Sequence, residues 1–433
     1  MIWWLWVGAS CVPSGTDSAV VDTTSPDTES GDTASTETSP GDTADPTDTW
    51  EPPPAIADHV FGDFVDWAAP IEDVLAAGEE AFGDDFSRGI HELTAQEDRL
   101  WIGYGDANVN LGGVYPITFR SFASADDSEV LVGSASGEEQ MDRFRWVHGD
   151  LWMAGVDSLG TDEEVHFPLI GGNVYTFGDE EWSKFNTVPG GEHVHDVAGW
   201  GGEAWAVGSG ANDRDEFESG QIHRYLWRSL DDGESWMTMQ REPYPDPGSG
   251  DTRFVHLLPQ ADDLYLFGYE YDWVAGVVYV INARFDGWDL VGLTNAESLE
   301  DVYPFGTLSV TEEVGLVWGV DVDEFALINE AWVVEDGERV LIDDLDGRSV
   351  IDVALRPDTE EILFLSYAGD VYGEAFETWD LKVHLAQGDD PQDLVELASW
   401  STSDSIRSVA FFDGSLFVGT DDGRVLRAAG EVE

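Results

Sequence analysis

The sequence predicts an all-β chain folded as one propeller of seven four-stranded blades over 56–433, following a non-globular N-terminal region. The first observation behind this is a recurring unit in which a short apolar strand and a tight turn lead into a Leu/Trp-apolar-Gly strand. Ile90-His91-Glu92-Leu93 with Leu100-Trp101-Ile102-Gly103 is one copy, and Ile406-Arg407-Ser408-Val409 with Leu416-Phe417-Val418-Gly419 is another. In both, the fourth residue precedes the second strand by seven, the spacing that also joins Phe144 to Leu151, Val197 to Ala204 and Leu257 to Leu264. The second observation is the period. First strands start near Ile90, Met141, Val194, Phe254, Val350 and Ile406, at steps of 51, 53, 60, 96 and 56. The longest step holds two units of about 48, with a weaker copy at 307–319 inside it, and units of this length are those of a propeller. The third observation is that each unit's second half reads as a hairpin, as in 225–229/236–240, 278–282/288–291 and 331–334/339–342. Gly and Asp at such turns between apolar runs are strong hairpin signals.

Taken from the N-terminus, Met1–Ala9 is apolar and runs into Gly8-Ala9-Ser10-Cys11. An apolar run ending in small residues reads as an export signal over 1–10. With the cysteine directly after small residues it resembles a bacterial lipoprotein box. That resemblance implies cleavage before Cys11, acylation of its thiol and anchorage to the outer side of a bacterial membrane. The run is short and carries no Lys or Arg, so a plain secretory signal or an uncleaved anchor stays open. Residues 12–55 are Ser, Thr, Asp, Pro and Gly almost throughout, with ten acids and no base. Such a segment buries too little apolar surface to offset ordering entropy, and its charges extend it, so 11–55 is expected to be a disordered tether.

The propeller has to close on itself. The last unit offers only three strands before the C-terminus, and residues near Val60–Trp67 are expected to supply its fourth, which removes the open edges. One hairpin carries a family mark. Ser229-Leu230-Asp231-Asp232-Gly233-Glu234-Ser235-Trp236 resembles the Asp-box of sialidase-type and sortilin-type propellers. There Asp231 accepts backbone N–H groups across the turn, Gly233 takes a positive φ and Trp236 packs beneath. In those families the box is structural, so the resemblance implies fold before chemistry.

Loops following the second strands are long (103–113, 155–171, 208–220 and 366–378), whereas those following the first strands are short. A long-loop face on a rigid scaffold is where binding is expected. These loops are acidic, and aromatics including Tyr104 and Trp273 accompany them, a surface suited to cations, cationic proteins or sugar rings. Asp106, Asn108 and Asn110 place oxygens at alternate positions. Ca²⁺, the one cofactor candidate, takes such ligands, but a turn held by Asx hydrogen bonds is the preferred reading. His91, His195 and Arg407 share the second position of their first strands and are expected at the mouth of the central channel, as a binding set for an anion or metal.

Composition narrows the partners. The chain has 19 basic and 89 acidic residues, a formal charge of −70. Phosphate backbones are gripped by Lys and Arg, so nucleic acid is excluded as a partner, and a membrane is met only through the lipid anchor. One cysteine excludes an internal disulfide framework. The expected function is that of a monomeric, surface-tethered binding or interaction module for a protein or carbohydrate. The alternative is a sialidase-like glycoside-processing enzyme, whose family uses an arginine triad, a Tyr–Glu pair and an Asp. Arg88, Arg253, Arg348 and Arg407 are the arginines near first-strand starts, but no complete catalytic set is assigned.

Overall fold

A computed structural model describes residues 61–429 apart from 97, 157–170, 179, 293–298, 323–328, 336, 346, 357–360, 369–377 and 387–390. The export signal, Cys11 and the tether lie outside the described residues. Seven antiparallel sheets follow one another around a ring. Blades 1 to 6 cover 92–135, 144–189, 193–243, 250–292, 302–341 and 348–402; blade 7 combines 406–428 with 64–68. Six blades have four strands, and blade 4 has a fifth.

Burial explains which strands the sequence displays most strongly. A blade's second strand lies in the middle of its sheet, with neighbouring blades on both faces. It therefore reads as a continuous apolar run rather than an alternation. Leu100–Gly103, Ala204–Gly210 and Leu264–Tyr269 are buried throughout. Outer strands meet water, and Leu131–Ala135 is exposed along its whole length.

The glycine ending most second strands has a steric cause. A Cβ on Gly208, Gly268 or Gly319 would stand 2.0, 2.1 or 2.2 Å from a carbonyl oxygen of the inner strand. The inner strand crowds that point because it bulges there. Its register skips His195, Val255, Phe305, Ile351 and Arg407 in blades 3 to 7. A bulge adds a residue to one strand and re-aims those that follow.

Closure uses the N-terminal strand as expected. β1 (Phe64–Ala68) pairs antiparallel with the last strand, Val425–Ala428. Phe64 packs on Trp400 at 4.3 Å, and Trp67 on Phe122 and Phe417 at 4.3 and 4.7 Å. Arg424 reaches Asp66 of β1 and also binds Asp404 and Asp422. Helix α1 (Glu72–Phe82), which no pattern in the sequence announces, then crosses the long-loop face between blades 7 and 1. Ile71, Val74 and Phe86 of this segment join the core of those blades. Asp73 meets Arg120 in a two-pronged ion pair at 2.6 and 2.8 Å, which holds its carboxyl down at about 2.

One hairpin is corrected. The run expected as a single strand over 278–282 is split into Val277–Val280 and Ala283–Phe285, and the latter pairs with Leu290–Gly292. Asn282 sits at the break, buried, its amide donating to the carbonyls of Leu299 and Val302 at 2.8 and 2.7 Å. Satisfying those carbonyls outweighs strand continuity.

A chain beginning at residue 69 should melt at least ten degrees lower, or fail to fold, because it exposes the edge of 425–428 and loses the Phe64 and Trp67 contacts (roughly 3–5 kcal/mol for an aromatic of this kind). Unchanged melting would rule out the closure.

Candidate functional site in the central channel

The third position of the inner-strand repeat, which follows the bulge in blades 3 to 7, carries most of the groups that link neighbouring inner strands. Around the ring this register reads Glu92, Arg143, Asp196, His256, Gly306, Asp352 and Ser408. The acids share one task. Glu92 accepts the N–H of Phe144 at 3.0 Å, Asp196 that of Leu257 at 2.9 Å and Asp352 that of Val409 at 2.9 Å. In every case a carboxylate reaches the next blade's inner strand, whose outward N–H has no sheet partner.

Two arginines of blade 2 cross the channel. Arg145 grips Asp196 through Nε and Nη2 at 2.7 and 3.0 Å, and its Nη1 donates to the carbonyl of Thr307 in blade 5 at 2.7 Å. Arg143 donates to the carbonyl of Val255 at 3.0 Å and meets His256 Nε2 at 3.3 Å. Together they fill the side of the channel bordered by blades 3 and 4. The other side stays open as a cavity of about 350 Å³, lined from blades 1, 2, 5, 6 and 7.

Glu92, Asp352 and Arg143 line that cavity. Depth in the channel disfavours charge on both acids. Burial pushes Asp352 up to about 7 and Glu92 up to about 8, against the backbone N–H groups that favour the ionised forms. Burial likewise lowers Arg143, and it holds His195 and His256 well below the usual imidazole range, with arginines nearby adding to the effect.

The residues singled out from sequence are distributed as follows. His91 and Arg407 line the cavity, but His195 does not. His91 Nε2 lies 2.9 Å from the carbonyl of Gly105, and Arg407 makes a two-pronged pair with Asp421 at 2.8 and 3.0 Å. His195 stacks on His193 with centroids 5.8 Å apart. The shared second position therefore brings two of the three together. Tyr104 is fully buried under α1, where its hydroxyl donates to the carbonyl of Thr118 at 2.7 Å and accepts from Arg120 Nε at 3.0 Å, so it does not reach the loop surface. Trp273 is 41% exposed. Asp106 accepts the N–H groups of Asn108 and Ser87 at 2.9 and 2.6 Å, and Asn110 adopts a left-handed conformation (φ 52°), so this segment is built as an Asx turn. Among the described loop acids, Asp213 caps the short helix 214–219 and Asp321 pairs with Arg339. Asp157, Asp162, Glu163, Glu164, Asp323, Asp370 and Glu374 lie outside the described residues.

In the hairpin 229–236, Ser229 Oγ donates to Asp231 and accepts from the N–H of Gly233, both at 2.9 Å; Asp231 accepts the N–H of Ser235 at 2.9 Å. Gly233 has φ 88° and Trp236 is buried. The arginines considered for a triad have separate partners. Arg88 binds Asp84, Arg253 binds Asp251, Arg407 binds Asp421, and Arg348 donates to Ser366 and to the carbonyl of Asp380. A Tyr–Glu pair exists, Tyr175 donating to Glu138 at 2.6 Å, but both are fully buried, and neither lines the cavity.

No protein-family model matches the chain, and no curated protein matches it. Solved structures similar to it include the β-propeller domain of the trilobed protease from Pyrococcus furiosus (10% identity, 80% of this chain and 97% of that one, TM-score 0.45). Another is the acylaminoacyl peptidase of Pyrococcus horikoshii (11%, 85% and 54%, 0.46). A third is a Hadza microbial sialidase (14%, 73% and 73%, 0.37). At these identities the likeness concerns the fold alone.

The raised acids set a pH dependence. A carboxyl with its folded value above its unfolded one contributes stability that is complete below the unfolded value and lost as pH rises through the folded value. Glu92→Gln and Asp352→Asn keep an acceptor for the backbone but abolish the buried charge. Each should match the parent near pH 4 and exceed it by a few kcal/mol above pH 8. Melting curves across pH 4–9 check this; variants less stable at pH 8.5 would refute it.

Proposed function

We propose that this protein is an extracytoplasmic interaction module, lipidated at Cys11, that docks a protein partner on its long-loop face. The observation that carries the reading is the exposed hairpin at the end of the second strand of blade 4. The second strand, Asp263–Asp272, turns directly into Val277–Val280, the first part of the split third strand, and together they raise Trp273, Val274, Val277 and Tyr279 into solvent at 41, 84, 40 and 51% exposure. A hairpin of large apolar side chains that the core does not use has the composition of an interface centre.

Charge favours a particular partner. Removing the ten acids of 12–55 leaves 79 acids against 19 bases on 56–433, a net of −60. A field of that sign steers a basic surface inward and repels acidic ones, so the partner is a protein with a basic rim around an apolar patch. The hairpin 229–236, with the hydrogen bonds its resemblance to an Asp-box calls for, supports kinship with sialidase-type and sortilin-type propellers. It stands in a solvent-exposed turn at the edge of blade 3 and acts there as a structural clip.

Two experiments test the reading. Trp273→Ala with Tyr279→Ala should cut capture of basic envelope proteins at least tenfold (more than about 1.4 kcal/mol), with melting unchanged. Retention of capture, or saturable binding to neutral glycans or turnover of chromogenic glycosides instead, would overturn it. Labelling with a fatty-acid analogue should vanish in Cys11→Ser; if the parent chain never labels, the anchor is wrong.

A further inference from the structure

The central cavity has an electrostatic composition that its structural duties leave unexplained. Of the described arginines, only Arg143 and Arg348 lack a carboxylate within salt-bridge distance, and of these two only Arg143 lines the cavity. Its Nη groups face the Val255 carbonyl and a neutral histidine. Glu92, Asp142 and Asp352 line the same space, and among the described residues none of them forms a salt bridge; Asp142 accepts from the Gln140 amide. Glu92 uses one oxygen, Oε1, for both Phe144 N–H and Thr94 Oγ1, at 3.0 and 2.7 Å; Asp352 receives backbone N–H groups only. Charges taken from bulk water without a partner are costly, and a protein keeps them where a ligand supplies the partner.

One guanidinium and several carboxyls without ion-pair partners therefore stand around one cavity; burial holds Glu92 and Asp352 toward their neutral forms, and a cation placed between them would favour the ionised ones. Arg143 belongs to blade 2, Glu92 to blade 1 and Asp352 to blade 6. Glu92 lies within electrostatic reach of both of the others. Phe305, Leu308 and Phe411 add apolar surface to a lining that is otherwise largely polar, with His91, Arg356 and Arg407 also on it. At about 350 Å³ the space lies at the small end of the range for ligand sites and holds a molecule of dipeptide size.

We propose that the cavity is a binding site for a small apolar zwitterion, a dipeptide, its carboxylate on Arg143 and its ammonium between Glu92 and Asp352. The carboxylate then meets a guanidinium that has no carboxylate partner, the ammonium draws Glu92 and Asp352 toward their ionised forms, and the side chains lie against Phe305, Leu308 and Phe411. A simple anion answers Arg143 alone, and a simple cation answers the acids alone; a ligand carrying both charges answers both. The site is separate from the exposed hairpin of blade 4, so its occupancy does not depend on the partner proposed for that surface.

The test is calorimetric titration of the full chain near neutral pH with L-leucyl-L-leucine, its N-acetyl derivative and its C-terminal amide. Saturable binding of one dipeptide per chain is expected, with each blocked analogue weaker by at least about tenfold, since each loses one charge pair. Glu92→Gln with Asp352→Asn should weaken the dipeptide by at least about tenfold, yet leave the N-acetyl derivative, which has no ammonium, bound as in the parent. This double variant keeps the backbone acceptors, and its melting curve verifies that it is folded. Failure of the dipeptide to saturate by about 5 mM would overturn the proposal. So would equal binding of the dipeptide and both blocked forms, or an unchanged affinity in the double variant.

Discussion

The ring depends on how its inner strands satisfy their free edges. Every blade presents an unpaired edge to the channel, and a backbone N–H left there without a partner is destabilising. This chain meets the need from the side. Glu92, Asp196 and Asp352 each extend to the next blade and accept an N–H, of Phe144, Leu257 and Val409. Hydroxyls do the converse: Thr307 donates to the carbonyl of Leu257, and Ser408 to that of Ile90, at 2.7 and 3.0 Å. One register thus both fastens neighbouring blades and places ionisable groups along the channel. Structure and potential chemistry occupy the same side chains.

The same role leads to different electrostatics at different blades. Asp196 has Arg145 clamped on it and is sealed from solvent. Glu92 and Asp352 clasp their neighbours in the same way but have no guanidinium against them, and burial raises both. The difference arises from blade 2. Its two arginines lean toward blades 3 to 5 and leave the opposite side of the channel open. An asymmetric cavity in a pseudo-symmetric ring is thus the result of where two long side chains lie.

Spacing made the blade count, the closure by an N-terminal strand and the position of the long-loop face legible in the sequence. These follow from apolar residues at fixed intervals, and burial on both faces of each second strand makes that signal strong. The role of the third position of the repeat was not legible. The apolar anchors at the first and fourth positions, such as Val194 and Val197, are blind to what happens between them. The bulge shifts the register there, so that in blade 7 Arg407 lines the cavity while Ser408 bonds the neighbouring inner strand. A clue was present: the glycine ending the second strand marks the crowding that the bulge creates. Tyr104 was misplaced for a different reason. It follows the second strand as a loop residue would, but α1 covers it, and the two-residue contact of Asp73 with Arg120 that secures that helix spans 47 positions. No local pattern encodes such a contact.

The few basic residues explain how so acidic a chain can hold a charged channel. Arginines are spent at joints: Arg120 under α1, Arg145 across the channel, Arg224 between Glu242 and Glu270, and Arg424 among three aspartates at the closing strand. Each joint neutralises acids locally and removes a base from the outer surface. The outside is left strongly negative, and the channel keeps ionisable groups of both kinds. A field of this kind repels small anions at a distance, while salt screens it over about 10 Å at 0.1 M. Within the channel the fixed groups, at contact range and shielded from salt, dominate instead. A ligand with no net charge but two strong poles is the class that crosses the first region without penalty and gains most in the second.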